Sequence, residues 1–214
     1  TTIGIRKIRL TGGEPLVRKN IGQLVHYISS IPEIDDIALT TNGILYPPMA
    51  RELKDSGLNR VNLSLDTLSD ERYRFITRRG ELKDALKAIF TALEMDMHPV
   101  KINTVIIRGF NDNEIMDFAR MAYEYPLHIR FIEFMPIGDL HFWKEQRMIS
   151  VDEVKKQIES EYKLEAARTI KGNGPAQYYN LAGGQGSIGF ITPMSNHFCG
   201  LCNRIRMTAD GKLR

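Results

Sequence analysis

Up to Glu133 the chain repeats one pattern: a short run rich in β-branched residues, then a stretch with helical periodicity. This rhythm constrains the fold more than any other feature. The runs are Ile5 to Leu10, Ile37 to Thr41, Arg60 to Leu65, Val100 to Ile107 and His128 to Glu133. Between them lie helical patterns near Ile21 to Ser30, Met49 to Asp55, Leu82 to Glu94 and Asn113 to Tyr123. In the third, Leu82, Ala85, Leu86, Ile89, Phe90 and Leu93 keep one apolar stripe. Strands that alternate with helices build parallel βα units, so the chain is expected to be an α/β protein with a parallel, barrel-like sheet. Asp112-Asn113-Glu114 before Ile115, and Ser150 with Glu153 before Val154, are helix-start signals, the second a capping box.

After Met135 the pattern changes. A loop with Pro136, Gly138 and the only Trp leads to one more helix, then to short strands around Tyr178 and Ile188 separated by Gly183-Gly184-Gln185-Gly186. This predicts a core over residues 1–135 and an antiparallel extension over 136–214, laid against it. With 214 residues the chain can bury a self-supporting core without a disulfide scaffold or a metal staple. It has no apolar run long enough to span a membrane and no basic, then apolar, then small-residue leader, so a cytoplasmic protein is expected. The absence of an initial Met and the end at Lys212-Leu213-Arg214 predict that both ends are cut.

The strands carry the first functional information. Outward faces of βα strands are covered by helices and must be apolar, so alternate polar residues have to face the lumen. Lys7 and Arg9 alternate with Ile8 and Leu10; Asn62, Ser64 and Asp66 with Val61, Leu63 and Leu65; Lys101 and Asn103 with Val100 and Ile102. An ordinary barrel core is filled by branched apolar side chains. A solvated edge strand would explain one such run, but three in succession predict a polar, cationic cavity with an anionic occupant.

Thr11-Gly12-Gly13-Glu14-Pro15 follows the first run directly. Its glycines allow close backbone approach to a ligand, and Glu14 offers a carboxylate at the end of a strand. A plain βα turn would use the same residues. Cys199-Gly200-Leu201-Cys202 fits half of a zinc site, a redox motif or part of an iron–sulfur site; a redox motif should open a helix soon after a strand, which this Pro- and Ser-rich stretch does not. Arg204 and Arg206 follow at a spacing that puts two guanidinium groups on one side of an extended segment, as suits a polyphosphate. The last twenty residues hold four basic side chains (Arg204, Arg206, Lys212, Arg214) and one acidic (Asp210), which equals the net charge of +3 of the whole chain. His128, His141 and His197 have no partners at metal or nucleophile spacing.

Taken in order, Lys7-Ile-Arg-Leu-Thr-Gly-Gly-Glu-Pro-Leu-Val-Arg18, Leu39-Thr-Thr-Asn-Gly43, Val61-Asn-Leu-Ser-Leu-Asp66, Val100-Lys-Ile-Asn-Thr104, Arg130-Phe-Ile-Glu-Phe-Met135 and Phe198-Cys-Gly-Leu-Cys-Asn-Arg-Ile-Arg206 resemble the radical S-adenosylmethionine enzymes. Within them the chain is most similar to the GTP 3′,8-cyclase family of molybdenum cofactor biosynthesis. The resemblance covers essentially the whole chain. It implies a partial (β/α) barrel with a C-terminal extension, S-adenosylmethionine and two 4Fe–4S clusters as cofactors, and conversion of GTP to a 3′,8-cyclised dihydroguanosine triphosphate by abstraction of the 3′ hydrogen and attack on C8.

By the same resemblance Gly13, Glu14, Ser64 and Met135 hold S-adenosylmethionine; Arg9, Thr40, Lys101, Arg204 and Arg206 hold GTP; and Cys199 and Cys202 ligate the second cluster. Lys7, Asn103 and Arg130 are possible additions. By periodicity alone Met135 would be assigned to the core. The family's Cys-x3-Cys-x2-Cys motif and a third ligand of the second cluster are not in the sequence, which is therefore expected to be an inactive internal fragment of a cytoplasmic lyase. An electron donor, a downstream cyclic pyranopterin synthase and a second copy of the chain are the implied partners; nucleic acid and membrane are not. No Gly-x4-Gly-Lys-Ser/Thr loop is present, so GTP is not expected to bind as in P-loop proteins. Two alternatives remain: a peptide-modifying radical enzyme with an auxiliary cluster, and a non-catalytic zinc or nucleic-acid module. The second predicts aromatics interleaved around Arg204, where only Phe198 is near.

Overall fold

A computed structural model describes residues 4–135, 145–167, 175–195 and 204–213. The elements in chain order are β1 (Lys7–Leu10), α1 (Ile21–Ser29), β2 (Asp36–Thr41), α2 (Tyr46–Asp55), β3 (Arg60–Ser64), α3 (Asp70–Thr77), α4 (Leu82–Glu94), β4 (Val100–Ile106), α5 (Ile115–Glu124), β5 (Leu127–Glu133), α6 (Val151–Glu159), β6 (Leu164–Ala166), β7 (Gln177–Leu181) and β8 (Ser187–Ile191). The strands form one sheet in the order β1-β2-β3-β4-β5-β8-β7-β6. β1 to β5 are parallel, β8 joins β5 in parallel, and β7 and β6 complete an antiparallel meander. The sheet does not close: β1 and β6 are its edges. The expected partial barrel and antiparallel strands are both present. The extension, however, prolongs the sheet through β8 instead of lying against it.

The register separates two faces. Ile37, Leu39, Val61, Leu63, Ile102, Ile129 and Ile188 point outward and are buried. Helical residues Val25, Leu53, Ala88, Ile89 and Phe118 are buried in the same core. Phe118 of α5 meets Phe131 of β5 edge-on, with centroids 6.3 Å apart. Each such aliphatic side chain contributes about 1.5–3 kcal/mol through burial, so the helical layer fixes which face of the sheet is left for a ligand.

Local chemistry explains where sequence patterns and structure diverge. α2 begins at Tyr46, ahead of the expected start, because Pro47 and Pro48 occupy its first turn, where a missing N–H costs nothing. α3 has only Tyr73 buried, so it carries no apolar stripe to read; it is set by Ser69 at its N-cap and by Asp70 and Glu71 in its first turn. The capping box predicted at Ser150 and Glu153 is formed on α6. Residues 112–114, read as a helix start, make a 3-10 turn before α5. Its Glu114 side chain instead accepts from Thr67 Oγ1 and from Leu68 N, and pairs with Arg72. The loops after β3 and β4 are thereby tied together.

Candidate functional site

Four parallel strand ends contribute to one rim. After β1, Gly12 adopts φ +152° and Gly13 is exposed; a Cβ at either would meet nothing within 4 Å, so this backbone is open to close approach. Glu14 is half-buried and shared between two loops. Its Oε1 accepts from Leu16 N at 3.0 Å and Thr41 Oγ1 at 2.6 Å, and its Oε2 from Asn42 N at 2.8 Å. A carboxylate offers about four lone-pair positions, so one remains for a ligand's ammonium group. Ser64 ends β3 and is exposed. Met135, just past β5, is 41% exposed and so is not the core residue that periodicity alone suggests.

Below the rim the inner face of the sheet is polar. Register puts Lys7 beside Asp36; Arg9, Ala38 and Arg60 in one row; Thr40, Asn62, Lys101, His128 and Ser187 in the next; and Ser64, Asn103, Arg130, Gly189 and Tyr178 above that. From β1 to β5 this face carries Lys7, Arg9, Arg60, Lys101 and Arg130 against a single carboxylate, Asp36. The expected inward set is therefore brought together, and Arg60, Asp36, His128 and Tyr178 join it. Alternation would have found Asp36 and Arg60 had the second strand been started one residue earlier and the third counted from its first residue.

The cations are held by specific contacts. Arg60 donates from Nε and Nη2 to the two oxygens of Asp36, at 2.8 and 2.6 Å. Arg130 Nη2 donates to Asn62 Oδ1 at 2.9 Å, and Asn62 Nδ2 donates to Leu39 O at 3.1 Å. The Tyr178 hydroxyl is hydrogen-bonded to Arg130, and Lys101 Nζ lies 5.4 Å from the Tyr178 ring centroid. Gly189 makes this possible, since a Cβ there would sit 2.8 Å from the Tyr178 ring and 3.2 Å from Arg130 Cγ. Among the described residues, two guanidinium nitrogens, Arg60 Nη1 and Arg130 Nε, are buried without a hydrogen-bond partner.

Crowding of like charge out of water shows in the proton affinities. Burial, then Arg130, Arg60 and Arg9, push Lys101 down to about 7. Burial, then Lys101 and Arg130, push His128 down to about 4, so it is neutral at pH 7 and its Nδ1 lies 2.7 Å from Ser187 Oγ. Arg130 is lowered to about 10, chiefly by burial. Arg9 is lowered by burial and then by Arg60 and Arg204, so Arg204 acts on the inner face. Arg206 is exposed. Asp66, expected to face inward, lies past the end of β3, where its Oδ1 accepts from Val105 N at 2.8 Å.

Cys199 and Cys202 lie outside the described residues, as do His141 and His197. Among the described residues no three His, Cys, Asp or Glu side chains cluster as a metal site, and no helix is long and apolar enough to cross a membrane. The segment leading to the cysteines is anchored by Glu133, buried at the end of β5. Its Oε2 accepts from Met194 N and Ser195 N at 3.0 Å each, and its Oε1 from Ser195 Oγ at 2.5 Å.

The chain is similar to known proteins along nearly its whole length. Residues 127–214 match the Molybdenum Cofactor Synthesis C family. A GTP 3′,8-cyclase of Syntrophomonas wolfei is 64% identical over 212 residues, and one of Moorella thermoacetica is 56% identical over 211. Each alignment takes in 99% of this chain but 65% of the relative. The chain thus spans about two thirds of their length. Among solved structures, a domain of pyruvate-formate lyase-activating enzyme from Bacteroides vulgatus shares the fold with a TM-score of 0.58 at 16% identity, covering 73% of this chain and 92% of that one. Coproporphyrinogen III oxidase from Escherichia coli, a radical SAM enzyme, does so with a TM-score of 0.53 at 15% identity, covering 74% and 41%. Residues 2–122 match the profile of the Radical SAM superfamily, and with its open βα sheet and glycine-rich rim the chain belongs to that superfamily.

Proposed function

We propose that the protein is a GTP 3′,8-cyclase and that the inner sheet face is its triphosphate site. The observation that carries this reading is the group of buried Arg60, Lys101 and Arg130 with exposed Arg9 beside them, which has one carboxylate among it and, among the described residues, two guanidinium nitrogens without partners. Buried charge of one sign is costly unless it is paired, and a polyphosphate supplies the missing charge. Arg is suited to grip it through planar forks, Lys101 as a point charge. Arg9, Thr40, Lys101, Arg204 and Arg206 hold the nucleotide, with Lys7, Asn103 and Arg130 around them.

The rim fits S-adenosylmethionine. Gly13 leaves backbone open, Glu14 retains an acceptor position for its ammonium group, and Ser64 and Met135 are exposed to its remainder. When bound and reduced beside an iron–sulfur cluster, this cofactor supplies hydrogen-atom abstraction. Residues 1–135 provide the cofactor rim, and 136–214 provide Cys199 and Cys202 as ligands of a second cluster together with the two C-terminal arginines. The chain contains two cysteines, fewer than two clusters require. The protein's own contribution is positioning: the deep cations fix the phosphates so that the ribose lies under the rim, and the apolar layer behind the sheet holds the strands that carry them. A cytoplasmic setting suits thiolate cluster ligands, and an electron donor and a downstream enzyme that consumes the cyclised product are the partners this activity calls for.

The test is anaerobic reconstitution of the full-length protein with iron and sulfide, followed by assay of GTP-dependent cleavage of S-adenosylmethionine and of the cyclised product. Cleavage that ignores GTP but responds to a peptide would instead support a peptide-modifying enzyme.

A further inference from the structure

We propose that Arg60, held by Asp36, binds the terminal phosphoryl group of the triphosphate and makes the site discriminate triphosphate from diphosphate. This rests on reading the inner sheet face as a triphosphate site. Arg60 is 5% exposed. Its side-on pairing with Asp36 uses Nε and Nη2 and leaves Nη1 buried with no partner among the described residues. A buried, unpaired charged donor is costly and calls for a partner from outside the chain, such as a bound anion or water.

The surroundings fit a phosphoryl group. In the row Arg9, Ala38, Arg60, two guanidinium side chains flank a residue with only a methyl group. The strands that carry them are two strand spacings apart, ~10 Å, and between them Ala38, itself buried, contributes no polar group. Lys101 and Asn62 occupy the next row. Arg60 also lies four residues before Ser64 on β3, ~13 Å deeper than the cofactor rim. A nucleotide with its ribose at the rim points its terminal phosphate toward this depth. Both Asp36 oxygens are engaged by Arg60, which fixes the guanidinium before a ligand arrives and reduces what binding must order.

The experiment measures equilibrium dissociation constants of the reconstituted full-length protein for GTP, GDP and tripolyphosphate. The variants are R60K and the charge-balanced pair D36N/R60Q, which leaves no buried carboxylate unmatched. The unaltered protein is expected to prefer GTP to GDP. In D36N/R60Q the affinity for GTP and for tripolyphosphate should fall by about 10- to 100-fold, the range of a lost charge-assisted hydrogen bond, while that for GDP changes less than about threefold, so the preference collapses. R60K should retain charge but lose most of the preference. Equal losses for GTP and GDP, or none, would overturn the proposal.

If the unaltered protein binds tripolyphosphate in an Arg60-dependent way but GTP no better, the phosphate subsite stands and the guanosine reading falls. Should neither variant fold, the structure of the unaltered protein with tripolyphosphate decides the matter. A terminal phosphoryl group within hydrogen-bond distance of Arg60 Nη1 supports the proposal, and one bound elsewhere refutes it.

Discussion

Arg60 and Asp36 form a two-point ion pair between neighbouring strands β3 and β2, with N–O distances of 2.8 and 2.6 Å and side-chain exposures of 6% and 17%. It is the one place from β1 to β5 where the inner face neutralises its own charge. D36A leaves the arginine buried and uncompensated, and should cost about 3–5 kcal/mol in chemical denaturation. Burial raises the Asp36 carboxyl, but the hydrogen bond and charge of Arg60 outweigh it and hold the group below its usual 3.8. A carboxylate lowered on folding adds stability that is present above its unfolded value and lost as pH falls through the folded one. Acid titration of the unaltered protein should therefore show a loss below about pH 4 that D36N lacks.

Lys101 binds protons less tightly in the folded protein, at about 7, than its usual 10.5. Between those values the unfolded chain holds the extra proton, so this group makes ligand-free stability rise with pH. Triphosphate binding works in the opposite sense. An anion favours the charged amine, so binding takes up a proton above pH 7 and the affinity for GTP falls as pH rises from about 7 to 9. Calorimetry in buffers of different ionisation enthalpy should register the uptake, and K101R should abolish it while retaining binding.

Glu14 joins the glycine turn after β1 to the loop after β2 through Leu16, Thr41 and Asn42. E14Q keeps the shape but turns one acceptor into a donor that faces a donor. It is expected to lower stability by about 1–3 kcal/mol and to weaken S-adenosylmethionine binding more than GTP binding, as measured by equilibrium dialysis of each.

Gly189 leaves the space in which the Tyr178 ring and the stem of Arg130 meet. G189A forces a contact of 2.8 Å and should cost about 1–3 kcal/mol by overpacking. Because the displaced groups belong to the anion site, GTP affinity should fall with it. A matching conservative change on the outward face, I188V, should lower stability alone.

Glu133 is buried, and both of its oxygens are used by Met194 and Ser195. E133A removes three hydrogen bonds at the start of the segment that leads to the cysteines. Amide hydrogen exchange at Met194 and Ser195 should accelerate at least tenfold, corresponding to about 1.4 kcal/mol of local opening, whereas exchange in β2 should stay as it was.

Much of this was legible in the residues themselves. The βα rhythm gave five parallel strands because a helix-covered strand must be apolar on one side, and the parity of Lys7, Arg9, Asn62 and Lys101 told which side was left for a ligand. The motifs around Gly13, Ser64 and Cys199 carried the family. What sequence could not supply was adjacency across strands. Asp36 and Arg60 stand twenty-four positions apart and are partners only through register. His128, unremarkable by spacing, becomes a neutral, buried neighbour of Ser187 because β8 returns beside β5. Tyr178 reaches Arg130 only across a glycine on the strand between them. Periodicity along a chain determines the face a side chain points to, since it follows from local backbone geometry. Which charges share that face, and which of them are left without partners, is decided by the order in which the strands assemble and by the water their packing excludes.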